Sequence, residues 1–510
     1  MKKPDDLFLL IHSMTGPEKR YFKLFSALYD RDKNYLKLFD HIAKQKGGDG
    51  GKELANKFKK EKWVKSLSNT KYELYNAILN SLEVYHKRDT VDSMLASYMN
   101  QLNLLHDKRL FRAAKKLIDK IEKLALKHEK HHYLLMVNSV RVIIMTKLMN
   151  VKEIARYIDN GAYEKEQYYL KCLENNSDFL NINLKLSKAS ELFVRTNEAK
   201  ELQELSSSEL LKSPDRALTF YARRNYYYIN YLCRSRLGKL DETAYLQQKE
   251  WIDYLESEKD MLVSRAGIYL SGIIRFIATI NSTKLKTGLE PIFIKAKSFY
   301  HNLPVKMKTD DLKSTFMGVT GNYMEGQIAL LKPHKAIEAW ESIRHLIPYE
   351  SLGGESKMVT SANLAYAHFL MEEYRTANKY LNNILNYTED ARPDIQAYAR
   401  IFTLFINYEM GNSDSIISIC LSSKNYLLKY KLLGKYESRL IRFFQKDIFG
   451  APENSKQSIL FEQLKVDLAK LMSDSKTPAA RGFDIVSWLD SKVEKRLFME
   501  ILKEKSTVVN

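Results

Sequence analysis

Apolar residues along the chain recur at threes and fours, the spacing that gathers them on one side of an α-helix. In LSNTKYELYNAILNSLEVY (67–85) they fall at Tyr72, Leu74, Tyr75, Ile78, Leu79, Leu82 and Tyr85. In RLFRAAKKLIDKIEKLALK (109–127), Ala114, Leu117, Ile118, Ile121 and Leu124 share one face. Arg109, Arg112, Lys116, Lys120, Lys123 and Lys127 form a stripe on the other. The rhythm predicts a helical pair at 91–106 and 109–127, then helices over 132–149 and from 151 into the 170s. It weakens over 176–215, where SSSEL (206–210) and Ser213-Pro214 mark a break. Pairs return at 217–237 with 240–256, 261–280 with 285–300, and 311–330 with 333–346. Two more follow, at 358–371 with 373–387 and 393–410 with 412–428.

The two ends read differently. Near the start, Thr15-Gly16-Pro17-Glu18 opens a helix, with proline and an acidic residue suited to its first turn. A second helix is predicted over 34–45, then a KGGDGG loop (46–51) and a lysine-rich helix from about Lys52 to Trp63. Toward the end, helices are predicted at 434–447 and 456–473, with a turn at 450–455 between them and one amphipathic helix over 483–503. The expected organisation is a basic helical module at 1–90, an array of helical pairs at 91–430 and a helical closure at 431–510.

The pairs resemble tetratricopeptide-type repeats. In LAYAHFLMEEYRTANKYLNNILN (364–386), Ala365 takes the small position, Tyr374 the aromatic and Ala377 the packing alanine. In KPHKAIEAWESIRHLIP (332–348), Ala336 is the packing alanine, Trp340 the large apolar residue and Pro348 the terminal proline, but Pro333 replaces the aromatic. Phe111 and Ala114 fit as well. Gly238 and Gly411 take turn positions, with Thr243 and Ile416 where alanine is usual. Positions 336, 377 and 416 are 41 and 39 apart, against 34 in the strict repeat. The chain also looks like a Bacteroidota family of uncharacterised helical-repeat proteins, through TGPEKRYFKLF (15–25), ARIFTLFINYEMGN (399–412) and FDIVSWLDSK (483–492). That second resemblance implies a repeat fold without an established activity. The first implies peptide or protein binding on a concave surface. The expected fold is all-α: an α-solenoid of tetratricopeptide-like hairpins, stabilised by neighbours stacking in series, with a helical N-terminal module.

Composition agrees with helices. The 510 residues are 45% hydrophobic and 28% charged, a globular balance. Gly (19) and Pro (10) reach about half their usual joint share. Lys plus Arg is 81 and Asp plus Glu 62, a net charge of +19. Residues 1–130 hold 28 basic and 17 acidic residues, a field that attracts polyanions or acidic proteins. Cys172, Cys233 and Cys420 are too few and too scattered for a disulfide framework or zinc cluster. No apolar run approaches the roughly 18 residues of a membrane span, and no signal-peptide pattern opens the chain, so a cytoplasmic location is expected.

Candidate chemistry is sparse. Gly51-Lys52 lacks both the upstream glycine and the following Ser/Thr of a phosphate-binding loop. His128-Glu129-Lys130-His131-His132 spells H-E-x-x-H, a zinc-peptidase pattern if one helix runs through it. FYARRNYYYINYLCRSR (220–236) interleaves tyrosines with arginines, both common interface anchors. It yields candidate groove residues Arg223, Arg224, Tyr227, Tyr231 and Arg234. Lys57, Lys59, Lys60, Lys62, Arg112, Lys116 and Lys120 form the candidate basic surface. The function expected is a non-catalytic scaffold or adaptor for a protein partner, with no cofactor and no metal. The alternative is a regulator touching DNA or RNA through the basic N-terminal module. A metal-dependent hydrolase built on 128–132 is the third reading.

Overall fold

The computed structural model describes residues 6–29, 33–45, 54, 57–59, 61, 64, 66–191, 198–283, 288–387, 392–448, 455–472 and 483–508. Among them there is no β-strand, and successive helices pack on one another, as in helical-repeat folds generally. The chain divides into two compact units, residues 1–185 with 212–226, and residues 186–211 with 227–510.

The first unit opens with α1 (Asp6–Ser13), α2 (Gly16–Tyr29), α3 (Lys33–Lys44) and α4 (Leu67–Tyr85). They share a core that includes Leu7, Ile11, Phe22, Phe39, Leu74 and Ile78. A capping box starts α2: the Thr15 N–H donates to Glu18 Oε2 (2.6 Å), and the Glu18 N–H to Thr15 Oγ1 (3.4 Å). The expected loop at 46–51 and most of the expected helix at 52–63 lie outside the described residues.

Helices α5 (Val91–Asp107), α6 (Phe111–Lys127) and α7 (His131–Lys147) then pack consecutively. Ala114, Ile118, Ile121 and Ala125 of α6 are buried between Leu95 and Leu102 on one side and Leu134 and Val137 on the other. Next come α8 (Val151–Asp159) and α9 (Ala162–Glu191). The 30-residue α9 runs through much of the stretch expected to be irregular. Its buried residues Tyr169, Cys172, Phe179, Ile182 and Leu186 keep helical spacing, and the polar residue that obscures it, Asn175, is itself buried. The Asn175 side chain donates to the Arg216 carbonyl (3.0 Å) and accepts from the Leu218 N–H (2.9 Å).

In the second unit α10 (Glu198–Ser206) is followed by α11 (Phe220–Arg236), which crosses the division at Tyr226/Tyr227. Then come α12 (Glu242–Ser257), the short α13 (Lys259–Leu262), α14 (Ala266–Ser282) and α15 (Leu289–Asn302). The pairs α16 (Asp310–Ala329) with α17 (Pro333–Glu341), α18 (Gly354–Leu370) with α19 (Tyr374–Leu385), and α20 (Pro393–Glu409) with α21 (Ser413–Lys429) follow. The first helices touch in series, α14 on α16, α16 on α18 and α18 on α20, while α15, α17 and α19 each bridge two of them. Last come α22 (Lys435–Arg442), which runs into a π-turn at Phe443–Asp447, α23 (Ser455–Leu471), α24 (Ile485–Glu494) and α25 (Phe498–Val508). The single helix expected over 483–503 is therefore two, broken where Lys495 adopts φ 53°.

One backbone device makes most of the sharp turns. Arg109, Glu129, Gly238, Leu331, Glu372, Gly411 and Lys431 all have positive φ. After each, the next N–H reaches the carbonyl five residues back, at 2.8–3.0 Å. This is the Schellman motif, which satisfies the free carbonyls at a helix end. Five of the seven use a side-chain-bearing residue, so few glycines are needed. The packing alanines Ala114, Ala336 and Ala377 are fully buried, as is Ile416. The expected role of Thr243 is corrected: Thr243 is exposed and Ala244 is buried. The Gly238 turn is two residues longer than those after Leu331, Glu372 and Gly411, and Asp241 caps α12 by accepting the Ala244 N–H (3.0 Å).

Candidate functional site

The surface cluster with the most chemistry in the second unit comes from three successive first helices. Small residues let two of them approach closely. A Cβ on Gly318 of α16 would lie 2.8 Å from Ile274 Cδ1 of α14, and one on Gly326 would lie 2.3 Å from Asn281 Oδ1. The Asn281 amide donates across to the Asn322 carbonyl (3.0 Å), and Asn363 of α18 donates back to the Gly321 carbonyl (3.1 Å).

On this frame Arg275 of α14 lies over the Tyr228 ring of α11, 5.4 Å from its centroid, a cation–π contact. The Tyr231 hydroxyl is pushed above its ordinary range by burial. Its hydrogen bond with Ser235 and the charge of Arg275 oppose this, and Glu325 and Tyr228 add to it. Glu325 of α16 is exposed, yet surrounding protein desolvates its carboxyl and lifts it above the usual carboxylate range. Tyr228, Tyr231, Arg275 and Glu325 thus combine aromatic area, one cation and one reluctant anion. This set can anchor a peptide; it holds no nucleophile–base pair.

The sequence candidates distribute as follows. Tyr231 belongs to the cluster. Tyr227 does not reach the surface: it is 2% exposed and stacks on Trp251 at 5.1 Å. Arg234 pairs with Asp241 (3.4 Å) at the end of α11. Arg223 and Arg224 fall in the first unit, where Arg224 is exposed and lies 5.9 Å from the Tyr221 ring centroid. Arg275 and Glu325 were missed. Each is the sole charge in a long uncharged run, 266–283 and 314–331, and that isolation was the available signal.

Of the basic candidates, Lys57 contacts His41 Nδ1 (2.7 Å) and Lys59 is exposed, while Lys60 and Lys62 lie outside the described residues. Arg112, Lys116, Lys120, Lys123 and Lys127 line the exposed face of α6, and none has a carboxylate partner among the described residues. Lys120 lies 4.3 Å over the Tyr98 ring.

The H-E-x-x-H reading fails on geometry. Helix α6 ends at Lys127, Glu129 takes φ 51°, and α7 begins at His131, so His128 and His132 are not one helical turn apart. His131 is buried against Tyr169, and burial holds its ring below the ordinary value. Glu129 accepts the Phe220 N–H (2.6 Å). Among the described residues no group of three or more His, Cys, Asp or Glu is arranged to hold a metal ion, and no helix is long and apolar enough to cross a membrane. The three cysteines are buried free thiols, with burial pushing Cys420 up to about 12.

These features define an all-helical protein whose successive helices pack in series and present a tyrosine–arginine cluster. Compared with known proteins, the chain matches no family model, no curated protein and no solved structure.

Proposed function

We propose that the protein is a non-catalytic scaffold or adaptor of the tetratricopeptide-like solenoid type, which binds a partner protein along its consecutive first helices. The supporting observation is the cluster of Tyr228, Tyr231, Arg275 and Glu325, drawn from three such helices. Tyrosine and arginine are enriched among the few residues that carry most of the binding energy of an interface, tyrosine through rigid aromatic area and arginine through its planar five-donor fork. A cytoplasmic site of action suits its free thiols.

The test is affinity capture from the native cell with the wild-type chain and with Arg275→Ala and Tyr231→Ala. A reproducible protein should be retained by the wild type and lost by both variants, with affinity falling about 30-fold or more. Capture that yields no such protein, or that ignores both substitutions, refutes the reading.

The second reading, a nucleic-acid-associated regulator, draws on the five exposed cations of α6 that have no carboxylate partner among the described residues. Affinity for DNA or RNA should then fall steeply with salt, and charge reversal at Lys116 and Lys123 should flatten that slope. Binding that is indifferent to both would dismiss it.

A further inference from the structure

A hollow of about 350 Å³ opens between α16 and the start of α18. Ser314 and Met317 line it from α16, and Gly354, Ser356, Val359 and Thr360 from α18. Three observations meet there. The first is the bare N-terminus of α18. Its cap residue is Gly353, which has no side chain to offer, and the first intrahelical bond is Lys357 N–H to the Gly353 carbonyl (3.0 Å). The N–H groups of Gly354, Glu355 and Ser356 therefore have no acceptor among the described residues. Such N–H groups, with the helix dipole behind them, favour an anion.

The second is Thr360. It is 2% exposed, it lines the hollow, and its hydroxyl has no partner among the described residues. The buried threonines of the other first helices behave differently. Thr279, Thr320 and Thr403 each donate to the carbonyl four residues back, at 2.8, 3.2 and 2.7 Å. The Thr360 hydroxyl has no protein partner among these residues and is open to the hollow, so it is available to bond what enters there. The third is the one lining carboxylate. Glu355 is turned to Arg392 Nη1 (2.5 Å), a cation that it shares with Asp394 (2.8 Å), so its charge is offset in part.

Three backbone donors and the hydroxyls of Ser314, Ser356 and Thr360 suit an oxyanion with several acceptor oxygens. We propose that this hollow is a binding site for a phosphate-class oxyanion, carried by a small molecule or a modified side chain. The site stands apart from the partner cluster at Tyr231 and does not rest on that reading.

The experiment uses the full chain with ¹³C-labelled methionine and valine methyls, titrated with inorganic phosphate at constant ionic strength, and with acetate in a parallel arm. Phosphate should shift the Met317 and Val359 methyls, with a Kd on the order of 1–10 mM. Acetate should shift them less. Thr360→Val should weaken phosphate binding about tenfold. Ser314→Ala, at an exposed position, should weaken binding without changing Tm and serves if the buried variant folds poorly. Absence of a phosphate-dependent shift, a shift unchanged in both variants, or a stronger response to acetate would overturn the proposal.

Discussion

Hairpin α5–α6 in the first unit and hairpin α18–α19 in the second turn on the same Schellman geometry, at Arg109 and Glu372, yet their surroundings are filled differently. The core around α6 is mainly aliphatic, built from Leu95, Ile118, Ile121, Leu134, Val137 and Ile144, with the rings of Tyr169 and His131 buried beside it. The core around α18 and α20 is aromatic. Phe369, Phe402, Phe405, Phe444, Phe461, Phe483 and Trp488 contact one another in a continuous network. Charge follows the same division. The cations on the exposed face of α6 have no carboxylate partner among the described residues, whereas the C-terminal carboxylates are used inside the fold. Glu409 accepts from Trp488 Nε1 (2.5 Å) and from Lys492 (2.7 Å), Arg439 bridges Asp447 and Asp467 (both 2.8 Å), and Asp490 takes Lys465 and Lys505. A shared turn thus constrains neither what fills the core nor what the surface offers. One region leaves charge free for an outside ligand, and the other consumes it in holding helices together.

The largest effect should come from the aromatic network. Trp488→Ala removes a fully buried ring that touches Phe405, Tyr408 and Phe461, and should cost about 3–5 kcal/mol. Ile121→Val in the aliphatic core should cost about 0.5–1.5 kcal/mol. Urea unfolding followed by circular dichroism measures both, and equal costs would erase the contrast. The charge contrast gives the next effect. Glu409→Gln keeps an acceptor for Trp488 but leaves Lys492 without its counter-charge, and should cost about 1–3 kcal/mol. Lys116→Gln with Lys123→Gln on α6 should stay within about 0.5 kcal/mol of wild type.

The helices themselves were legible in the sequence because a 3.6-residue period survives degenerate composition, and α4 spans the stretch its apolar face predicts, Leu67–Tyr85. The turns were half legible. Gly238 and Gly411 announce themselves, but Arg109, Leu331 and Glu372 carry no local mark of a left-handed backbone. The break at Lys495 was hidden because helical spacing continues across it. Thr243 was misassigned because α12 starts four residues after Gly238, whereas the helices after Leu331, Glu372 and Gly411 start two residues on. In the site, Tyr231 could be found from its neighbours. Tyr227 could not be separated from it, since NYYYIN places tyrosines all round the helix and only the packing of Trp251 decides which one is covered. Arg275 looked like a mere interruption of an apolar run, because its partner Tyr228 lies 47 residues away in sequence.

The common turn offers a smaller test that should behave alike in both regions. A residue with a Cβ pays a steric penalty in the left-handed region that glycine escapes. Arg109→Gly and Glu372→Gly should therefore each stabilise the fold by about 0.5–1 kcal/mol, after allowing for glycine's extra freedom when unfolded. Gly411→Ala, at φ 69° with nothing within 4 Å of the added methyl, should cost about 1 kcal/mol. Opposite signs at Arg109 and Glu372 would mean that the two turns are not one device.

The smallest effect concerns pH and belongs to the first unit. His86 Nδ1 lies 2.5 Å from Asp89 and Nε2 lies 2.6 Å from Glu18. The bond to Asp89 holds the ring above its ordinary 6.5; burial opposes this, and the bond to Glu18 and both negative charges support it. Burial works to raise Glu18, but its hydrogen bonds with the Thr15 N–H, the Thr15 hydroxyl and His86 outweigh it and hold the carboxyl below 4.5. A raised histidine favours the folded state fully below 6.5, and this contribution fades as pH climbs through the raised folded value. A lowered carboxylate contributes above 4.5 and fades as pH drops through the lowered folded value. Both terms are fully present between 4.5 and 6.5, so a Tm–pH profile should show its advantage over His86→Gln in that interval and lose it as pH rises through the raised histidine value. The imidazole is 42% exposed, so water screens the pair and the gain stays below about 1 kcal/mol. A His86→Gln profile parallel to wild type from pH 4 to 8 would show that the histidine–carboxylate contact contributes nothing to holding α2 against the end of α4.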